Sequence, residues 1–171
     1  LSELGQDYLK AGLLDRAESI FNRLLGSSRQ EEAKRFLLEI FQLEKDWQKA
    51  IAIAKELPDA ASQKEIAEYY CELAAAEMMR SRLDSAAEYL DIAMQQNRKC
   101  VRAMLLLGDL RVQENRLEDA ISAWQRIEQQ DPAYLALVAQ RLMEAYRRLD
   151  RKNEGLALLR GYLAHYPSLD L

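Results

Sequence analysis

The residues best suited by type to catalysis or metal binding are one histidine, His165, two cysteines, Cys71 and Cys100, and two acidic pairs, Glu31-Glu32 and Glu118-Asp119. Their spacing points away from chemistry. His165 has no Cys or Ser in a plausible constellation and falls near the expected end of the last helix, where it reads as a surface residue. The cysteines stand far apart without Cys-x-x-Cys spacing or a nearby ligand, and read as small buried apolar residues. A disulfide between them needs an oxidising compartment and suitable geometry, and nothing else in the sequence suggests one. The acidic pairs open or flank helices, where they complement the dipole in water, whereas a catalytic pair needs burial to separate its pKa values. The sequence contains no glycine-rich phosphate loop and no metal-ligand cluster. Met78-Met79 suits either an adaptable surface or core filling, while Trp47 and Trp124 fall where core packing is expected. The expectation is a chain that is not an enzyme and holds no cofactor.

Composition narrows the class further. Apolar residues make up 49% of the 171, with only 6 Gly and 3 Pro, and Ala, Leu, Glu, Gln, Arg and Lys recur throughout. These residues favour helix, so an all-α chain with enough apolar material for a continuous core follows. A net charge of −4 argues against nucleic acid as partner, since a polyanion site needs clustered Lys and Arg. The short basic clusters at Arg80 to Arg82 and at Arg147, Arg148, Arg151 and Lys152 have acidic neighbours and read as solvated faces. No stretch approaches the roughly 20 apolar residues of a membrane helix, and no signal-peptide pattern opens the chain, so it is expected to be soluble. Leu1, Leu4 and Tyr8 already stand at helical spacing. The first helix therefore reads as cut into, and the sequence as a piece of a longer protein.

The elements emerge from an internal repeat. Five small residues, Ala17, Ala50, Ala86, Ala120 and Gly155, recur at spacings of 33, 36, 34 and 35 residues. Three residues before each stands Leu14, Trp47, Leu83, Leu117 or the polar exception Lys152; four after it comes Phe21, Ala54, Leu90, Trp124 or Leu159. Spacings of three and four put these on one helix face. A second set lies on the preceding helix: Leu4-Gly5, Leu37-Leu38, Leu73-Ala74, Leu107-Gly108 and Leu142-Met143, each followed three residues on by Tyr8, Phe41, Glu77, Arg111 or Tyr146. Pro132 and Pro167 fall where second helices should end. Two helices approach closely only where Gly or Ala removes bulk, and one short hairpin cannot bury both its faces, so the hairpins must stack. The spacing predicts about ten helices, with turns near Gly12, Lys45, Arg82, Asn115 and Asp150.

This small/large grammar resembles the tetratricopeptide-repeat family, which implies an all-α solenoid of about five antiparallel helix hairpins in a right-handed superhelix. The units run approximately 1–30, 31–64, 65–100, 101–134 and 135–171 in a single array. Particular blocks resemble one family more closely: Leu4-Gly5-Gln6-Asp7-Tyr8; Ala11 through Glu18 with Phe21-Asn22; Trp47 through Ile51; and Ile66-Ala67 with Tyr70 through Ala74. In that order they are similar to the lipopolysaccharide assembly protein B (LapB, YciM) family. That resemblance implies an N-terminal anchor on the cytoplasmic face of the inner membrane and a C-terminal rubredoxin-like domain carrying a metal, both outside this sequence. It further implies control of lipopolysaccharide synthesis by directing the deacetylase LpxC to the protease FtsH. The alternatives are the repeat portion of a glycosyltransferase-type enzyme whose catalytic domain lies elsewhere, and a peptide-binding co-chaperone module.

In stacked hairpins the first helices line a concave groove, formed by the positions left over once the hairpin face is buried. Those positions include Gln6; Arg35, Glu39 and Gln42; Cys71, Ala75, Met78 and Met79; Leu105, Asp109 and Val112; Glu144 and Arg147. The expected groove has an apolar centre and charged ends, and suits a hydrophobic peptide or partner helix.

Overall fold

Small residues at fixed intervals dictate the architecture. The computed structural model describes residues 1–59 and 61–171. Among these lie eleven α-helices, one short 3-10 turn and no strand. The first helices of the hairpins are α1 (Ser2–Lys10), α3 (Gln30–Glu44), α5 (Ala61–Met79), α7 (Val101–Gln113) and α10 (Leu135–Arg148). The second helices are α2 (Leu14–Leu24), α4 (Trp47–Ala54), α6 (Leu83–Gln96), α8 (Leu117–Gln125) continued by α9 (Ile127–Gln130), and α11 (Lys152–His165). The eleventh helix arises because a single residue, Arg126, separates α8 from α9. Both expected stops are present: α9 ends two residues before Pro132 and α11 two before Pro167. Pro132 opens the 3-10 turn, which Asp131 caps by accepting the Ala133 N–H at 3.0 Å.

The chain divides into two compact units, Leu1–Tyr69 and Tyr70–Leu171, with the boundary inside α5. In the first unit, Ala17 and Ala50 are fully buried, and a Cβ built on Gly5 would lie 2.8 Å from the Phe21 ring. The second unit repeats the device. Ala86 and Ala120 are fully buried, and a Cβ on Gly108 would lie 2.0 Å from Trp124 Nε1. Trp124 itself is 2% exposed and donates its indole N–H to the Leu105 carbonyl at 3.3 Å, so the ring keeps its hydrogen bond while filling the space the glycine leaves. In the fifth hairpin the roles are exchanged: Met143 stands at the small position of α10, and Gly155 of α11 receives its sulfur. Trp47, by contrast, is only half-buried and stacks on Tyr69 with centroids 5.6 Å apart.

All five hairpin turns share one backbone solution. Gly12, Lys45, Ser81, Asn115 and Asp150 have φ between 57° and 74°, and each precedes the small residue of its second helix by five positions. The third turn residue is thus Ser81, one before the expected Arg82. At each tip the left-handed residue and its successor donate to carbonyls three and five positions back, as in Lys45 to Gln42 at 3.1 Å and Asp46 to Phe41 at 2.9 Å. These paired bonds satisfy carbonyls that a helix end otherwise leaves open. The carbonyl taken by the longer bond belongs to Tyr8, Phe41, Glu77, Arg111 or Tyr146, the position where the repeat varies most. Where it is aromatic, a cation covers the ring: Arg16 over Tyr8, Lys49 over Phe41, Arg151 over Tyr146. Where it is charged, ion pairs replace that contact: Glu77 with Arg80 at 2.9 Å and Arg111 with Glu114 at 2.7 Å.

Two outcomes test this account by thermal melting. Enlarging Ala86 or Ala120 to Leu overpacks the crossing and should destabilise by roughly 1–3 kcal/mol; unchanged melting of both variants overturns the register. Lys45→Gly relieves a left-handed non-glycine residue and should stabilise by about 1 kcal/mol, whereas Asn115→Gly should gain less because Asn tolerates that conformation.

Candidate functional site

Once the crossings are buried, the remaining flanks of the first helices border an open hollow in each unit. In the first unit, a hollow of about 540 Å³ is lined by Arg35, Leu38, Glu39 and Gln42 of α3, by Leu57 and Asp59 of the connection after α4, and by Ser62 and Glu65 of α5. Arg35 organises its rim, placing one guanidinium nitrogen 3.2 Å from both Glu31 and Asp59. Asp59 in turn accepts the Ser62 N–H at 3.1 Å and the Ser62 hydroxyl at 3.0 Å, just before α5 begins. The Ser62 hydroxyl and N–H, followed by Arg35, hold the Asp59 carboxyl below the ordinary aspartate range. Gln42 donates from its side-chain amide to the Tyr69 hydroxyl, and burial pushes that phenol up.

The second unit's hollow, about 520 Å³, lies among α7, α8 and α10. Val112, Leu117, the Trp124 edge and Ala145 give it an apolar floor, while Asp109, Gln113, Gln140, Arg141, Glu144 and Arg148 form the rim. Most rim charges are already neutralised. Asp109 pairs with Arg141 at 3.0 Å, and Glu144 with Arg147 at 2.6 Å, which holds the Glu144 carboxyl below its usual range. Arg148 forms no ion pair among the described residues. Either hollow is the size of a site for a few side chains.

Of the groove positions expected from the sequence, Arg35, Glu39 and Gln42 border the first hollow, and Asp109, Val112 and Glu144 the second. Gln6 lines neither and donates to Ser2, whose hydroxyl reaches Glu32 at 3.1 Å. Arg147 is exposed, Ala75 half-buried, and Leu105 half-buried against the second unit's core. The apolar centre is corrected: Cys71 is 0% and Met78 8% exposed, so neither faces a groove, and only Met79, at 89%, is open. The reason is helical phase. Cys71, Ala74 and Met78, spaced three and four residues apart, form one buried stripe, which packs inward, and the rule that subtracts only the hairpin's own contact overlooks it. Leu57, Leu117 and Trp124 border the hollows without having been expected there, because their places on second helices and turns carry no groove signature.

Elsewhere, His165 ends α11 exposed, with its ring beside Tyr166. Carboxylate oxygens of Asp15, Glu18 and Glu44 lie within 4.8 Å of one another, and Lys49 approaches Glu18 at 4.0 Å. Burial and then Glu18 push the Glu44 carboxyl up. No described helix is long and apolar enough to cross a membrane.

Residues 2–65 and 71–134 match the tetratricopeptide-repeat family. Lipopolysaccharide assembly protein B of Escherichia coli K12 is 32% identical over 158 residues, which are 90% of this chain and 41% of that protein. Its Haemophilus influenzae counterpart is 30% identical over 153 residues, 87% of this chain and 38% of that one. The chain thus spans about two fifths of these curated relatives. Among solved structures, MamA superposes with a TM-score of 0.61 at 20% identity, covering 99% of this chain and 94% of MamA. YrrB, described as a tetratricopeptide-repeat protein with an unusual peptide-binding site, gives 0.55 at 16% identity, covering 98% and 85%. At such identities these two speak for the fold alone.

The Asp59 linkage has a measurable pH signature. Its folded pKa lies below its unfolded value, so its contribution is present above the unfolded pKa and is lost as pH falls through the folded one. Asp59→Asn should lower the melting temperature at pH 7, and the difference from the parent should vanish on acidification below the ordinary aspartate range. A gap that persists there would show that charge is not what Asp59 contributes.

Proposed function

The chain belongs to the tetratricopeptide-repeat family, and from that premise we propose that it is a scaffold holding protein or peptide segments on the exposed flanks of its first helices. The observation that supports this most directly is the second unit's hollow, whose apolar floor sits inside a rim of charges and amides. An apolar side chain of a partner gains burial on that floor, and the rim supplies hydrogen bonds that set its orientation. The scaffold contributes no reacting group in this reading and requires no cofactor of its own.

The similarity to lipopolysaccharide assembly protein B over 90% of the chain supports a finer reading. The chain serves as the repeat region of a regulator of lipopolysaccharide synthesis, bringing the deacetylase LpxC to the protease FtsH at the cytoplasmic face of the inner membrane. The anchor and any metal-bearing domain belong to parts of that regulator beyond these residues.

Affinity capture with the intact protein from its own membranes tests both levels. The parent should retain LpxC and FtsH. Arg148→Glu combined with Gln140→Glu alters the second rim, and Glu39→Lys the first; all three positions are exposed, so melting should stay within about 0.5 kcal/mol of the parent. At least one variant should lose a partner tenfold or more. Undiminished capture by both folded variants removes the hollows as the binding site, and absence of LpxC and FtsH from the parent's capture removes the regulatory reading.

A further inference from the structure

The two cysteines, far apart in sequence, meet inside the second unit. Cys71 on α5 and Cys100 at the start of α7 place their sulfurs 3.8 Å apart, and they are 0% and 2% exposed. One repeat further on, the corresponding places are apolar. Thirty-four residues after Cys71 stands Leu105 and thirty-five after Cys100 stands Leu135, and both belong to one apolar core. Where those places hold leucines, these hold a dithiol.

The surroundings keep the sulfurs in register. One residue beyond Cys71, Glu72 receives Arg102 at 2.8 Å, which ties α5 to the first turn of α7 on the outer side of the pair. The approach to Cys100 is pinned by its own N–H to the Asn97 carbonyl at 3.0 Å, by Lys99 N–H to the Asn97 side chain at 3.1 Å, and by Gln130 donating to the Arg98 carbonyl at 2.9 Å. A disulfide needs its sulfurs at about 2.05 Å. Closing that difference requires side-chain rotation and a shift of the α7 start.

We propose that Cys71 and Cys100 form a dithiol oxidation site, converted by a hydroperoxide to a disulfide that staples the third hairpin to the fourth. This rests on the thiol geometry alone and stands apart from the scaffold reading. Hydrogen peroxide reaches the buried pair through a local opening of the fold around it. One thiol sulfur attacks a peroxide oxygen; the O–O bond breaks, leaving a sulfenic acid and releasing one water. The second sulfur then attacks the sulfenic sulfur, the S–O bond breaks, and a second water leaves with the remaining thiol proton. Two thiols and one peroxide yield one disulfide and two waters. The bridge closes a loop containing α6, so the junction between the hairpins no longer separates when the chain unfolds.

The test treats the folded chain with hydrogen peroxide, removes the oxidant, unfolds the protein and alkylates it with N-ethylmaleimide. The expected product is monomeric, lighter by two hydrogens and unalkylated, with one tryptic peptide pair joined through Cys71 and Cys100. Its melting temperature should rise by several degrees and return to the starting value with dithiothreitol. Cys71→Ala and Cys100→Ala should each abolish the oxidation-dependent rise, whatever their own basal stability. Two alkylated thiols after oxidation, a dimer bridged between chains, or a cross-link without change in melting would each overturn the proposal.

Discussion

Everything in this chain follows from how closely two antiparallel helices approach at one point per hairpin. Ala17, Ala50, Ala86, Ala120 and Gly155 remove bulk at that point, and where the facing residue is also small, as at Gly5 and Gly108, an aromatic ring fills the remaining volume. The constraint is steric and short-ranged. It fixes which face of each first helix turns inward, and so decides by subtraction which side chains stand free to meet another molecule.

That subtraction explains both what was legible and what was not. The crossings, the turns and the helix stops could be read from spacing alone because each is set inside a hairpin, within about 34 residues. Six of the expected groove residues border the hollows because they lie on the flanks that the crossings leave over. Cys71 and Met78 could not be assigned that way. Their burial depends on packing beyond the hairpin's own crossing, and a repeat pattern records which position recurs, not how far the next hairpin is rotated. The meeting of Cys71 with Cys100 is the sharpest case, since the two occupy different positions of the repeat and no periodic alignment pairs them.

Electrostatics is secondary and local. Arg35, Arg141 and Arg147 each hold a carboxylate at the edge of a hollow, in solvent where such pairs contribute little to stability. Their effect is on shape and sign. By neutralising one another they leave the rims patterned in hydrogen-bonding groups, while the apolar floor of the second hollow supplies the area a partner would cover.

The hairpin tips carry a further implication. Four of the five use Lys, Ser, Asn or Asp in a left-handed conformation, and what holds each tip is a pair of bonds between main-chain atoms. The side chains there tune the stability of the turn but do not create it. The tip residue can therefore vary without changing the turn, and the repeat is marked instead by buried small residues, four alanines and a glycine. A lineage of such repeats can change every outward-facing letter and still be recognised by the places where it has kept nothing larger than a methyl group.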